Sequence, residues 1–297
     1  MTRLSALKDT RGITSPRGPR LATILALVFG SAACAGFPFL DLAPAPDLEI
    51  VHDVDSDFQR ITVVDTPDGF RQLIFEARLD GTDAIQSEMS LSDPDRLTRP
   101  YPRYLMTALP AAAKLERVLI VGLGGGSMQR YLRKLLPGLS IESVEIDPEV
   151  RRIAAEYFGF KEDERQIVHL EDGAAFMARA EAKYDIIFLD AFGPASIPEL
   201  MRKREFLEAV KARLDEGGVV CSNVWYGAPE YFDVLDAYEA VFPERYMVRC
   251  RPDSANRIIL ALPEKTGLGM RGWIKKAEEF ERAHPTGLDL PKMLSRR

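Results

Sequence analysis

The chain has 297 residues, of which 46% are hydrophobic and 28% charged, a balance typical of a globular protein with a sizeable core. Its formal net charge is -6, whereas a nucleic-acid-binding protein is expected to present a basic face. Nucleic acid is therefore not an expected partner. The three cysteines and three histidines follow no metal-ligand or redox spacing, so no metal site is predicted.

The first 46 residues differ in composition from the rest of the chain. Five basic residues lie within residues 1–20, and residues 21–40 carry no charge. A basic stretch before an apolar run is typical of a secretory signal or a membrane anchor, which favours an exported or membrane-anchored protein. The alternative is a cytoplasmic protein with a disordered extension or a start assigned too early. Residues 42–46, rich in Ala and Pro, are predicted to be a linker.

Residues 47–110 are predicted to form a small β-rich domain. The alternating stretch Arg60–Asp65 is typical of a strand, and Phe70–Ala77 of a second strand. Thr66-Pro67-Asp68-Gly69 predicts the turn between them, because Pro fixes φ and Gly accepts a positive φ. Leu79-Asp80-Gly81 predicts a further turn, so this region is expected to consist of antiparallel hairpins.

Residues 111–265 alternate between apolar runs and helical stretches. The predicted strands are Val118–Val121, Ser140–Ile146, Ile167–Leu170, Tyr184–Leu189 and Val219–Val224, with helices such as Pro148–Phe158 and Glu205–Leu214 between them. This alternation predicts an α/β fold with a Rossmann-like, doubly wound and mainly parallel sheet. The tail, residues 266–297, has a predicted helix around Gly272–Ala283 and no assigned role.

The first two strand ends carry residues expected to hold a nucleoside. The first strand runs into a glycine loop in which Gly122, Gly124 and Gly126 would let the backbone approach a ligand, ahead of a helix N-terminus. A glycine-rich turn without a ligand is the alternative. Glu145, at the end of the second strand, is predicted to accept hydrogen bonds from ribose hydroxyls. Asp147, directly before Pro148, is predicted to cap the next helix instead.

The next two strand ends also carry acids. Asp172, followed by Gly173, is positioned either to accept from the exocyclic amine of adenine or to cap a helix. Asp190 ends an apolar strand and is expected to face the same crevice, because ligands bind at the carboxyl ends of parallel strands. Asp185, at the opposite end of that strand, is predicted to be a solvated charge. Ser127 stands where an NAD-binding fingerprint favours Gly, which indicates S-adenosylmethionine rather than NAD.

The chain resembles the spermidine synthase family over residues 60 to 262. The motifs that carry the resemblance are Leu79-Asp80-Gly81 with Ile85-Gln86, Pro100-Tyr101, the glycine loop, Val144-Glu145-Ile146-Asp147, Asp172-Gly173, Asp190, Pro198 and Asn256-Arg257-Ile258-Ile259-Leu260-Ala261. The resemblance implies that the glycine loop, Glu145 and Asp172-Gly173 hold the adenosyl part of decarboxylated S-adenosylmethionine. It also implies that Gln86 and Tyr101 line the pocket and that Asp190 contacts the attacking amine.

Three positions depart from the family pattern. Gly125 stands where the family usually has Asp, Tyr101-Pro102-Arg103 replaces Tyr-His-Glu, and Gly193 replaces a second acid. The chain is instead similar to a spermidine synthase-like branch, whose reactions are methyl transfer or unassigned, through the motifs Gly122-Leu123-Gly124-Gly125-Gly126-Ser127, Asp190-Ala191-Phe192 and Ile197-Pro198. Arg103 is expected to bind substrate by pairing with the methionine carboxylate, which favours S-adenosylmethionine over its decarboxylated form as co-substrate.

The expected function is therefore transfer of an alkyl group, aminopropyl or methyl, to an amine acceptor, with Asp190 as the catalytic residue. The alternative is a nucleoside-binding or membrane-associated module that has lost this chemistry. The expected partners are a small-molecule acceptor, for which a polyamine is one candidate, a membrane contacted through the N-terminus, and a second copy in a homodimer.

Overall fold

The computed structural model of the protein describes residues 48–76, 83–191, 199–251 and 254–295. The predicted signal or anchor segment lies outside these residues, as do the predicted turn Leu79-Asp80-Gly81 and position Gly193. Within the described ranges no helix is both long enough and apolar enough to cross a bilayer. Export or membrane anchoring through residues 1–46 stays a prediction.

A small sheet comes first in the chain. It is a four-stranded antiparallel meander in the order β1-β2-β3-β4. Its strands are β1 (Glu49–Asp55), β2 (Arg60–Asp65), β3 (Phe70–Glu76) and β4 (Asp83–Ser90). The turn between β2 and β3 forms as predicted, because Gly69 adopts a φ of 83° and its N–H donates to the Thr66 carbonyl at 3.0 Å.

A larger, seven-stranded sheet has the order β10-β11-β9-β8-β5-β6-β7. Its strands are β5 (Arg117–Val121), β6 (Ser140–Glu145), β7 (Gln166–Leu170), β8 (Tyr184–Leu189), β9 (Leu214–Trp225), β10 (Glu244–Arg249) and β11 (Asn256–Leu262). Strands β5 to β9 run parallel to one another, and β10 and β11 pair antiparallel at one edge. The predicted α/β class with a mainly parallel sheet is confirmed.

Helices cover both faces of the larger sheet. They are α1 (Pro100–Leu105), α2 (Ser127–Leu135), α3 (Pro148–Tyr157), α4 (Gly173–Arg179), α5 (Arg204–Ala212), α6 (Tyr231–Val241), α7 (Gly269–Ala283) and α8 (Leu290–Leu294), with short 3₁₀ helices at Met106–Ala111 and Glu199–Arg202. Alternate side chains of β5 enter different cores, since strand side chains point to opposite faces. Val118 and Ile120 pack with α1, α2, α7 and α8, whereas Leu119 and Val121 pack with α4, α5 and α6.

The small sheet packs against the larger half instead of standing alone, and both belong to one compact unit, Ala45–Arg297. Ile61 and Leu73 from its inner face share a core with Ile153 of α3, with Phe158 just after α3, and with Leu123 of the glycine loop. This contact brings β4 over the carboxyl ends of the parallel strands.

The C-terminal tail contributes to the main core. Trp273 of α7 and Leu290 and Leu294 of α8 are buried with residues of α1 and α2. The Tyr131 hydroxyl of α2 donates to the Thr286 carbonyl at 2.9 Å, which fixes the segment between α7 and α8. The predicted tail helix is observed as α7, which begins at Gly269 instead of Gly272.

The prediction that Asp185 is a solvated charge is wrong. Its side chain is buried, and Oδ2 accepts hydrogen bonds from the backbone N–H groups of Glu116 at 2.8 Å and Arg117 at 2.9 Å. Asp185 thus pairs two backbone donors at the start of β5 that the sheet leaves without acceptors. The pairing crosses from β8 to the segment before β5, which a local reading of the sequence does not reveal.

Replacing Asp185 with Ala should lower the free energy of unfolding by about 3 kcal/mol, because two backbone donors lose a charged acceptor. The measurement is urea denaturation at pH 7. The matched control is Asp236→Ala on the exposed face of α6, which should leave the midpoint almost unchanged. Equal midpoints for the two variants would contradict this account of Asp185.

Candidate active site

A cavity of about 410 Å³ lies at the carboxyl ends of β5, β6 and β8. Eight of the ten site residues predicted from the sequence line it, namely Gln86, Tyr101, Gly122, Gly124, Glu145, Asp172, Gly173 and Asp190. Parallel strands place their carboxyl ends along one edge of the sheet, which explains why residues so far apart in the chain meet here. The other two predicted residues, Gly126 and Arg103, do not line the cavity.

Gly122 closes the floor of the cavity. Its φ is 105°, and a Cβ atom at this position would lie 2.5 Å from the carbonyl oxygen of Asp190. Its N–H donates to the Val144 carbonyl of the neighbouring strand at 2.8 Å. Only glycine combines this backbone conformation with such close contact, so Gly122 allows the ends of β5 and β8 to meet.

The glycine loop is held from outside by two side chains that the sequence analysis missed. Ser87 of β4 accepts a hydrogen bond from the Gly125 N–H at 2.8 Å, and a Cβ on Gly124 would lie 2.5 Å from its hydroxyl oxygen. Arg130 of α2 donates to the Gly125 carbonyl at 2.7 Å and to the Pro94 carbonyl at 3.0 Å. Nothing local marks Ser87, because it lies 38 residues from its partner.

Gly126 does not line the cavity and packs against Phe160 instead. It precedes α2 with a φ of 68°, and a Cβ there would approach the Phe160 ring to 2.7 Å. Glycine is required at this point because the loop turns through the left-handed region against an aromatic ring. Gly122, Gly124 and Gly126 are evenly spaced in the sequence, but only the first two line the cavity and the third faces the core. Their spacing alone does not reveal this difference.

Glu145 is buried at the end of β6 with its carboxylate held by the backbone. Its oxygens accept from the N–H of Leu123 at 3.1 Å and the N–H of Asp147 at 3.0 Å. Burial raises the pKa of Glu145 to about 7, although these backbone donors act to lower it. The carboxyl group is fixed in orientation, and each oxygen keeps a lone pair for a hydroxyl donor in the cavity.

Asp147 and Asp172 are both helix caps. Asp147 accepts from the Glu149 N–H at 2.9 Å, directly before Pro148, so the predicted cap is confirmed. Asp172 accepts from the N–H groups of Ala174 and Ala175 at 2.9 and 3.0 Å through Oδ1. Because Asp172 also lines the cavity, its second oxygen remains available to a ligand, and the two alternatives for this residue are compatible.

Asp190 directly follows β8 and is the final acceptor in a directed chain of hydrogen bonds. The Asn223 amide donates to Asp190 Oδ1 at 3.1 Å, and the Asn256 amide donates to Asn223 Oδ1 at 2.9 Å. The Ser254 hydroxyl in turn donates to Asn256 Oδ1 at 3.3 Å. Asn256 therefore fixes which face of the Asn223 amide meets Asp190. The polar Asn223 within the apolar run of β9 is the signal by which the sequence could have indicated this.

Burial raises the pKa of Asp190 to about 7, although hydrogen bonds from Asn223 and Tyr101 act to lower it. Burial likewise raises the pKa of the Tyr101 phenol well above its usual range, and the nearby Asp190 charge adds to that shift. The Tyr101 hydroxyl has one proton, which is shared between the Asp190 carboxylate and the Gln86 carbonyl oxygen at 3.3 Å. Asp190 is thus a carboxyl group that gains and loses a proton near neutral pH.

The expectation that Arg103 binds substrate beside Tyr101 does not fit the helix that carries both. Successive residues of an α-helix are rotated by roughly 100°, so side chains two positions apart point in opposite directions. Tyr101 of α1 faces the cavity described above, whereas Arg103 lines a separate cavity on the other side of the helix. The pairing of Arg103 with a methionine carboxylate in this site therefore has no geometric basis.

The charged side chains among the described lining residues are Glu145, Glu171, Asp172 and Asp190, and none is basic. Glu171 is paired with Arg179, which lies outside the lining and lowers the pKa of that carboxyl group. The other three have no cationic partner in the cavity. In the part of the chain that the structure describes, no group of three or more His, Cys, Asp or Glu side chains is arranged to hold a metal ion.

Comparison with known proteins gives a consistent result. The family profile of the spermine/spermidine synthase domain matches residues 101–264. The polyamine aminopropyltransferase of Vibrio vulnificus (strain CMCP6) is 37% identical over 216 residues, which cover 72% of this chain and 72% of that protein.

Two solved structures share the fold of this chain. The crystal structure of human methyltransferase-like protein 13 in complex with SAH is 28% identical, with a TM-score of 0.56 over 62% of this chain and 91% of that one. A spermidine synthase in complex with the transition state analogue AdoDATO shares the fold, with a TM-score of 0.66 at 19% identity over 84% of this chain and 86% of that one.

The matched profile begins at Tyr101 and contains the glycine loop, Glu145, Asp172 and Asp190, which are the residues that converge on the cavity. The chain therefore belongs to the spermine/spermidine synthase family and is a transferase.

Proposed function

We propose that this protein transfers an aminopropyl group from decarboxylated S-adenosylmethionine to a small amine acceptor. The charge of the cavity carries the proposal, because every charged side chain among its described lining residues is an acid. Decarboxylated S-adenosylmethionine bears a sulfonium and an ammonium but no carboxylate, so it complements such a lining. A carboxylate-bearing donor would meet no cation among these residues.

The donor's adenosine would occupy the half of the cavity formed by β5, β6 and the start of α4. Glu145 would accept from the ribose hydroxyls, and Asp172 would accept from the adenine amine through its uncapped oxygen. Ile146 is 46% exposed beside Glu145 and offers apolar surface to the adenine ring. Gly122 and Gly124 would leave room for the sulfur between these residues and Asp190.

Asp190 would act on the acceptor. The acceptor nitrogen attacks the donor carbon next to sulfur, the carbon–sulfur bond breaks, and its electrons leave with sulfur as a neutral thioether. The nitrogen becomes cationic and gives up a proton, which the Asp190 carboxylate accepts. A pKa of about 7 suits a base that works near neutral pH, and a cationic ligand nearby would lower that pKa and favour the ionised form.

Methyl transfer from S-adenosylmethionine is the second candidate. It is supported by the 28% identity to human methyltransferase-like protein 13, whose structure contains SAH. Gly125, where the family usually has Asp, also leaves the loop without a carboxylate for an aminopropyl ammonium. The acceptor, a membrane attachment through residues 1–46 and a homodimer stay predictions.

The thioether left behind distinguishes the two reactions. Aminopropyl transfer leaves 5′-methylthioadenosine, and methyl transfer leaves S-adenosylhomocysteine. We expect mass spectrometry of reactions with each donor and a panel of amines to detect 5′-methylthioadenosine, with a rate lower by roughly 10²- to 10⁴-fold in Asp190→Asn. Detection of S-adenosylhomocysteine alone would establish methyl transfer. Detection of neither thioether with any amine would favour the non-catalytic module.

The raised pKa of Asp190 has a consequence for stability that does not depend on activity. A carboxyl pKa of about 7 in the folded state, against the usual 3.8 of an aspartate, means that ionisation costs free energy once the chain is folded. This free-energy cost is absent at pH values below both pKa values, and it reaches its maximum at pH values above the folded-state pKa. Between pH 5 and pH 8 the wild type should lose about 3 kcal/mol relative to Asp190→Asn, measured by urea denaturation. Parallel stability curves for the two proteins would contradict the raised pKa.

The hydrogen-bond chain behind Asp190 predicts a shift in the pH–rate profile. In Asn256→Asp the new carboxylate should attract the N–H₂ group of the Asn223 amide. The amide would then turn its Oδ1 toward Asp190, and the ionised form of Asp190 would lose a hydrogen bond. The acid limb of the kcat profile should move upward by about 1 pH unit, with the plateau rate retained. Ser254→Ala, at the far end of the chain, is the control and should shift the limb less. A lower plateau without a shift would contradict this positioning role of Asn256.

A further inference from the structure

A second cavity of about 880 Å³ lies on the other side of α1 and shares no lining residue with the candidate active site. Its walls are α1, α2, residues 93–98 before α1, and residues 283–288 of the tail. Both helices and the tail belong to the main core, so this cavity is built into the fold.

Arg103 projects into this cavity, and its guanidinium is unpaired among the residues that the structure describes. Its Nε atom is buried and makes no hydrogen bond, and no described residue forms a hydrogen bond or ion pair with its guanidinium group. Burial raises the pKa of Tyr131 to about 12, a shift that the nearby Arg103 opposes, and the Tyr131 hydroxyl donates its proton to the Thr286 carbonyl. A half-buried guanidinium that lacks an acceptor loses hydration without compensation, and an anion in the cavity would supply the missing acceptor.

The neighbouring acids are engaged elsewhere. Lys134 lies 3.9 Å from Asp93 and 3.4 Å from Asp95, and the Glu88 carboxylate accepts from the Gln72 amide at 2.9 Å. These acids have their own partners and do not neutralise Arg103. They also line the cavity, so they would repel a ligand that carries more than one negative charge.

The rest of the lining selects the kind of anion. Leu97, Leu135 and Leu288 contribute apolar surface, and the planar fork of a guanidinium matches the two oxygens of a carboxylate. We propose that this cavity binds a small organic monocarboxylate with an apolar body, held through its carboxylate by Arg103. The site is independent of the donor cavity, where every charged lining residue that the structure describes is an acid.

Isothermal titration calorimetry on the full chain tests the proposal with 3-phenylpropionate and its uncharged isostere 3-phenylpropionamide. The variants are Arg103→Met, which removes the charge, and Arg96→Met, which removes another cation that lines the same cavity. We expect saturable binding of 3-phenylpropionate to the wild type. The affinity should fall roughly 10- to 100-fold for the amide and for Arg103→Met, and change little in Arg96→Met.

Three results would overturn the proposal: no saturable binding of 3-phenylpropionate to the wild type, equal affinity for the amide, or undiminished binding by Arg103→Met. Circular dichroism establishes whether Arg103→Met folds. If it does not, the comparison of acid and amide on the wild type decides the question, because the two compounds fill nearly the same volume, and the amide lacks the negative charge and one of the two acceptor oxygens.

Discussion

The contact between Gly122 and the Asp190 backbone sets the geometry of the site. The ends of β5 and β8 approach so closely that a Cβ on Gly122 would lie 2.5 Å from the Asp190 carbonyl oxygen. The same glycine donates to the Val144 carbonyl of β6, which joins three strand ends at one residue. Glu145 and Asp190 therefore extend from neighbouring points of one sheet edge, with the glycine loop between them. A side chain at position 122 would separate them.

The small sheet supplies part of the wall of the candidate active site. Ser87 accepts from the Gly125 N–H, and Gln86 lines the cavity on the same strand, so β4 supplies one wall of a site whose acids come from the other sheet. The two buried carboxyl groups there, Glu145 and Asp190, both have a pKa raised to about 7 by burial. Burial makes ionisation of these carboxyl groups unfavourable. A bound cation would offset that cost, because each ionised carboxylate then gains a partner.

Much of this could be predicted from the sequence, and the remainder has a common physical cause. Strand–helix alternation is a local property, and it correctly predicted the parallel strands and the convergence of Glu145, Asp172 and Asp190 at their carboxyl ends. Ser87 pairs with Gly125 across 38 residues and Arg130 with Pro94 across 36, so no local pattern marks these contacts. The pairing of Asn256 with Asn223 is also distant in the chain, and its one local signal is a polar residue within the apolar run of β9. The error on Asp185 is of the same kind, because its partners Glu116 and Arg117 lie 69 and 68 residues away in the chain. The position of Arg103 follows instead from the rotation of α1.

The placement of Arg103 changes the electrostatic character of the site. Paired beside Tyr101, as the sequence indicates, a guanidinium would provide the one cation able to neutralise a methionine carboxylate. The rotation of α1 instead directs Tyr101 toward Asp190 and Arg103 into the second cavity. One short helix thus separates an acidic cavity from one that contains Arg103, with which no described residue pairs. The described lining of the first cavity offers no cation to a carboxylate, whereas Arg103 offers a guanidinium to one in the second cavity.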